Sequence, residues 1–153
     1  MLNFRSALLL LSTALFVSVS AADTLVVEDP YVREVPPGSP TTAAFMTLHN
    51  KSDEAIRLIE AENKVTEHTE LHNHVVIDGV MEMRQVEAIE IPANGETQLA
   101  PGGLHLMLIG LNSALSAGDT LTLNLVFDNG EQIELEAPVR SMMPMHHAPA
   151  GDE

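Results

Sequence analysis

The chain has 153 residues, enough for an export signal and one domain with its own core. Its 22 acidic against 7 basic side chains give a formal charge of −15, which repels phosphate backbones and anionic lipid and so argues against nucleic-acid or membrane-surface binding. Cysteine is absent, which excludes disulfides, cysteine nucleophiles, blue-copper ligation and Cys-based zinc sites, and leaves methionine as the only sulfur for a soft metal.

The opening "MLNFRSALLLLSTALFVSVSAADT" has a basic start at Arg5, an apolar run and small residues at Ser20, Ala21 and Ala22. This pattern predicts a secretory signal peptide over residues 1–21, cleaved after Ala21 or Ala22. The apolar run is shorter than the roughly 20 residues of a membrane span, so no insertion is expected after cleavage. Cleavage removes Arg5 and no acid, moving the formal charge from −15 to about −16. Such a surface suits a carrier or cation handler, and equally a small domain kept in solution by its charge.

Residues 22–140 read as strands. "TLVVEDPYVREV" and "TTAAFMTLHN" are β-rich and separated by the loop "PPGSP"; "AIRLIEA", "VTEHTELHNHVVI" and "VMEMRQVEAIEI" follow. "LHLMLIGL", "TLTLNLVF" and "EQIELEAPV" then alternate apolar and polar residues, with turns at "PANGE", "SAGD" and "DNGE". No window has a helical period. The expectation is an all-β, Greek-key sandwich or small barrel of seven to nine strands.

The last segment, "SMMPMHHAPAGDE" over residues 141–153, has no alternation and reads as a flexible tail. Its Met142, Met143, Met145, His146 and His147 form a possible secondary metal set, the thioethers favouring Cu(I) and the imidazoles accepting Cu(II).

Chemistry concentrates in two strand pieces. In "ELHNHVVIDGVMEMRQV", Asp78-Gly79 predicts a type I′ hairpin with Ile77 opposite Val80 and His74 opposite Met83. Alternation then puts His72, His74, Val76, Met81, Met83 and Gln85 on one face. Either histidine can share an ion with Met83, and local geometry slightly favours His74. In "GGLHLML", His105 and Met107 share one face while Leu104, Leu106 and Leu108 take the other. Imidazoles and thioethers meeting there would select copper(I) over calcium, magnesium or zinc. His49 and His68 are expected at the surface, and Met46 in strand packing.

These residues resemble the motif of the periplasmic PCu(A)C-type copper chaperones: His, ten residues, Met, twenty-one residues, His, one residue, Met. The chain carries it as His72, Met83, His105, Leu106, Met107. "AAFMTLHN", "VMEMR", "PGGLHLM" and "GDTLTLNLVFDNG" extend the resemblance over residues 25–140. The resemblance implies a cupredoxin-like β-barrel with one Cu(I) at an exposed site held by His72, Met83, His105 and Met107, with His74 and Met81 as neighbours. It implies a periplasmic protein that delivers copper towards the binuclear centre of cytochrome c oxidase, to its copper subunit directly or through thiol-bearing copper chaperones. It also implies that a Met/His-rich tail can capture Cu(II) or help to supply the main site.

A monomer is expected. Copper storage or resistance through the same site is the nearest alternative, and a metal-free exported interaction domain the next. No nucleophile elbow, phosphate loop or paired-carboxylate signature points to an enzyme.

Overall fold

The computed structural model describes residues 24–141, so the signal peptide expected over 1–21 and the Met/His cluster at 142–147 lie outside the described residues. Ten strands follow one another: β1 (Leu25–Arg33), β2 (Thr41–Asn50), β3 (Ile56–Glu62), β4 (Thr66–Ile77), β5 (Val80–Gln85), β6 (Ile89–Ile91), β7 (Gly95–Leu99), β8 (His105–Leu111), β9 (Thr120–Phe127) and β10 (Gln132–Arg140). They pair in the order β5-β4-β8-β2-β1-β10-β9-β3-β6, with β7 against the second half of β2. All pairs are antiparallel except β1 with β10, which joins the two halves of the ladder in parallel. Among the described residues no helix is long and apolar enough to cross a membrane.

The all-β, cupredoxin-like expectation holds, with ten strands in place of seven to nine. "VMEMRQVEAIEI", which alternation alone makes continuous, is two strands, because β5 stays on β4 at one edge of the ladder while β6 crosses to β3 at the other. The turn at Pro92–Asn94 then returns the chain to β2 as β7.

The core lies between the two halves of the ladder. Leu121, Leu123, Leu125 and Phe127 of β9 face Leu106 and Leu108 of β8, Leu71 of β4, and Ala44, Met46 and Leu48 of β2 in one buried cluster. Each fully buried Leu or Phe contributes about 1.5–3 kcal/mol, which lets this cysteine-free chain hold its fold by burial alone. Met46 is one of these core residues.

Two local features aim side chains at the opposite, outer face. Asp78 and Gly79 adopt φ of 52° and 80°, as a type I′ turn requires, and set the pairs Ile77–Val80 and His74–Met83. In β1, Asp29 has φ 47° and the pairing with β2 slips between Glu28 and Tyr31. That bulge, at Asp29–Pro30, inverts the alternation: Leu25 and Val27 point to the core before it and Val32 after it, which turns Tyr31 and Arg33 outward.

Candidate metal centre

The strands β5, β4, β8 and β2 lie side by side, and their pairing converts sequence spacing into rows across the outer face. One row is Met83 and His74; the next is Gln85, His72 and His105; the third is Glu70, Met107 and Ala43. Leu71, Leu106 and Leu108 occupy the intervening positions and point into the core. The apolar β8 therefore presents leucines to one side and His105 and Met107 to the other.

A cavity of about 160 Å³ opens on this face. His74, Met83, His105 and Met107 line it, with Phe45 and Ala43 on the β2 side, Arg33 from β1, and Pro101 and Gly102 from the loop before β8. No carboxylate lines it. Of the four ligands implied by the motif, Met83, His105 and Met107 border the cavity directly. His72 stands beside it, opposite His105 in the ladder, with ring centroids 5.7 Å apart. His74 is closer, with its ring centroid 5.2 Å from that of His105. Met83 is 46 % exposed and Met81, outside the lining, 62 %.

Hydrogen bonding fixes which ring nitrogens are available. The His105 Nδ1–H donates to the Gly103 carbonyl oxygen at 2.9 Å, leaving the Nε2 lone pair free. The His72 Nε2–H donates to Glu70 Oε2 at 2.7 Å, leaving the Nδ1 lone pair free. His72 Nδ1, His74 Nδ1 and Arg33 Nε are buried and have no partner among the described residues. Buried polar atoms in native folds are nearly always satisfied, so the two on cavity-lining residues, His74 Nδ1 and Arg33 Nε, mark this face as a candidate binding site.

His105 is 2 % exposed, packed 6.3 Å from the Phe45 ring. Burial pushes its imidazole below the ordinary histidine range; the Gly103 carbonyl opposes this, and His74, His72 and Arg33 reinforce it. His105 is thus held neutral, the form in which it can donate a lone pair. The Arg33 guanidinium carbon lies 5.3 Å above the Phe45 ring centre, which keeps a fixed positive charge at the cavity wall.

Among the described residues no three His, Asp or Glu side chains are grouped to hold a metal by themselves, so a ligand set on this face would have to draw on Met83 and Met107. His68 is exposed, as expected. His49 is only partly exposed, bridging Glu28 at 2.7 Å and Glu96 at 3.2 Å because β1 and β7 flank it on β2. The sequence reading missed Glu70, Arg33 and Phe45. Glu70 was within reach of it, two residues before His72 and so on the same strand face. Arg33 was not, because its direction depends on the bulge at Asp29.

The family model "LpqE-like", described as "Putative lipoprotein LpqE-like", matches residues 25–139. The Leifsonia xyli subsp. xyli (strain CTCB07) protein "Putative lipoprotein Lxx21020" is 32% identical over 120 residues, 78% of this chain and 71% of that one. The solution structure of CuI-DR1885 from Deinococcus radiodurans is similar at 33% identity and a TM-score of 0.63, over 81% of this chain and 83% of that chain. Its apo form aligns at 30% identity and a TM-score of 0.62, over 92% and 95%. The copper-bound PCuAC domain from PmoF2 has a TM-score of 0.66 at 23% identity, over 77% and 93%, a likeness of fold.

Proposed function

The chain belongs to the LpqE-like family, and with the fold of PCuAC domains around a His/Met-lined cavity, we propose that it is an exported copper chaperone. It holds one Cu(I) through His72, Met83, His105 and Met107. The observation that carries this reading is the chemistry of the cavity wall: two thioethers, a neutral imidazole with its Nε2 lone pair free, no thiol and no carboxylate. Calcium and magnesium need anionic oxygens, and zinc takes imidazole, thiolate or carboxylate, whereas thioether sulfur favours copper(I). The Arg33 charge acts in the same direction, since it repels a divalent ion about twice as strongly as a monovalent one.

The CuI-DR1885 structure supports copper as the cargo, because that relative binds it at 33% identity in the same fold. Release follows from ligand type. Neutral sulfur ligands bind without displacing a proton and leave without taking one, and the exposed Met83 lets an acceptor's sulfur replace it first. An acidic surface, with a formal charge of −15, raises the local concentration of cations. The signal-like start and the lipoprotein descriptions of its relatives support export to the periplasm.

Delivery is directed towards the binuclear copper centre of cytochrome c oxidase. Its test is to load the protein with one equivalent of Cu(I), mix it with the metal-free soluble copper domain of the oxidase, separate the two and measure copper in each. Movement of the metal to the oxidase domain supports delivery. Full retention by the carrier contradicts it and assigns the site to storage.

A further inference from the structure

His74 is the one imidazole at the cavity that the four-residue motif does not use. It lies directly opposite Met83 across the β4–β5 hairpin, and its ring centroid is nearer to that of His105 than the His72 ring is, at 5.2 Å against 5.7 Å. It lines the cavity with Met83, His105 and Met107, whereas His72 does not. Its Nδ1 is buried without a partner, and no side-chain hydrogen bond among the described residues ties its ring. A solvated surface histidine would have none of these features.

Resting on the copper reading, we propose that His74 is a second, alternative copper ligand: the site has two overlapping arrangements that share Met83, His105 and Met107 and differ in whether His72 or His74 supplies the other imidazole. Two residues apart on β4, the two rings reach the same space from rows about 6.6 Å apart, so a single ion can pass from one to the other while three ligands stay in place. His72 is the stronger partner, because the Glu70 carboxylate on its Nε2–H fixes the ring's orientation and places a negative charge behind it. His74 has no such support and lies towards the exposed hairpin end, where Val76, Val80 and Met81 are open to solvent. The exchange moves copper one row towards the place where an acceptor can dock, with no change of oxidation state and no proton transferred.

Competition with a chromophoric Cu(I) chelator tests this in the wild type, His72→Gln, His74→Gln and the double variant. His74→Gln alone is expected to weaken binding less than about twofold, His72→Gln about tenfold, and the pair by about a further tenfold, a non-additive pattern that two mutually replaceable ligands require. In the His72→Gln protein the His74 ring nitrogen resonances should shift on loading one equivalent of Cu(I), measured by 15N NMR. Equal affinity of His72→Gln and the double variant, or a His74 ring unmoved by copper in His72→Gln, overturns the His74 assignment. In Glu70→Gln, which leaves both histidines in place, the His74 ring should likewise shift further on loading than in the wild type; no further shift also overturns it. Absence of Cu(I) binding by the wild type would instead overturn the copper reading itself.

Discussion

Glu70 touches no cavity atom, yet its carboxylate should set much of the copper affinity through His72. An ion on His72 Nδ1 lies about 6.5 Å from the carboxylate across the ring, by adding a metal–nitrogen bond, the ring and the hydrogen bond. The Glu70 side chain is 32 % exposed. An effective dielectric near 40, intermediate between a near-surface pair and water, then gives an attraction of about 1.3 kcal/mol, close to a ninefold effect on the His72 arrangement. Because His74 takes over part of the lost binding, Glu70→Gln should raise the overall Cu(I) dissociation constant by about fivefold. Glutamine keeps the size and can still accept the hydrogen bond, so the charge is isolated. Chelator competition in low salt reads the change, and the same substitution in a His72→Gln background should alter affinity less than about twofold. An unchanged constant in Glu70→Gln, or an equal loss in both backgrounds, would refute the idea that the carboxylate acts through this ring.

Arg33 lines the same cavity and its charge opposes the ion, so Arg33→Gln should tighten Cu(I) severalfold; equal or weaker binding in the competition assay would contradict this. His105 has its pKa lowered from an ordinary 6.5 mainly by burial, so the unfolded chain takes up the proton first as pH falls. The stability from this group is therefore complete above pH 6.5 and is lost progressively as pH drops towards the lowered value in the fold. Urea midpoints of the metal-free protein should accordingly be lower at about pH 5.5 than at about pH 7.5, and His105→Gln should lose that difference. Gly79 has φ 80° and open space where a side chain would project, so Gly79→Ala is limited by backbone strain and should cost about 1 kcal/mol of stability in urea unfolding. An unchanged midpoint would show that the turn does not hold the hairpin in register.

The parts of the site that were legible in the sequence are those with local causes. Asp78-Gly79 requires positive φ at both positions, which fixed the hairpin and with it the pairing of His74 with Met83. The leucines of "LHLMLIGL" alternate with His105 and Met107, so one side of β8 had to be core. What stayed hidden depended on distant chain. The outward turn of Arg33 follows from one extra residue in β1, at Asp29–Pro30, and the burial of His105 from Phe45, distant in sequence but on the neighbouring strand β2. The break between β5 and β6 reflects the crossing from one edge of the ladder to the other, which no alternation in "VMEMRQVEAIEI" announces. Strand alternation also left His72 and His74 equivalent, because it places residues on a face and says nothing of which ring nitrogen is tied up. That distinction came from Glu70.

The claim on which the function depends is that sulfur from β5 and from β8 grips the same soft ion. The direct measurement is a Cu(I) competition titration of the wild type, Met83→Leu and Met107→Leu, with urea unfolding to verify that each is folded. Leucine preserves the apolar bulk and removes the sulfur, so the wild type should bind one equivalent and each variant should bind at least about tenfold more weakly at near-unchanged stability. Wild-type affinity in both folded variants would remove the two thioethers from the site and end the copper assignment.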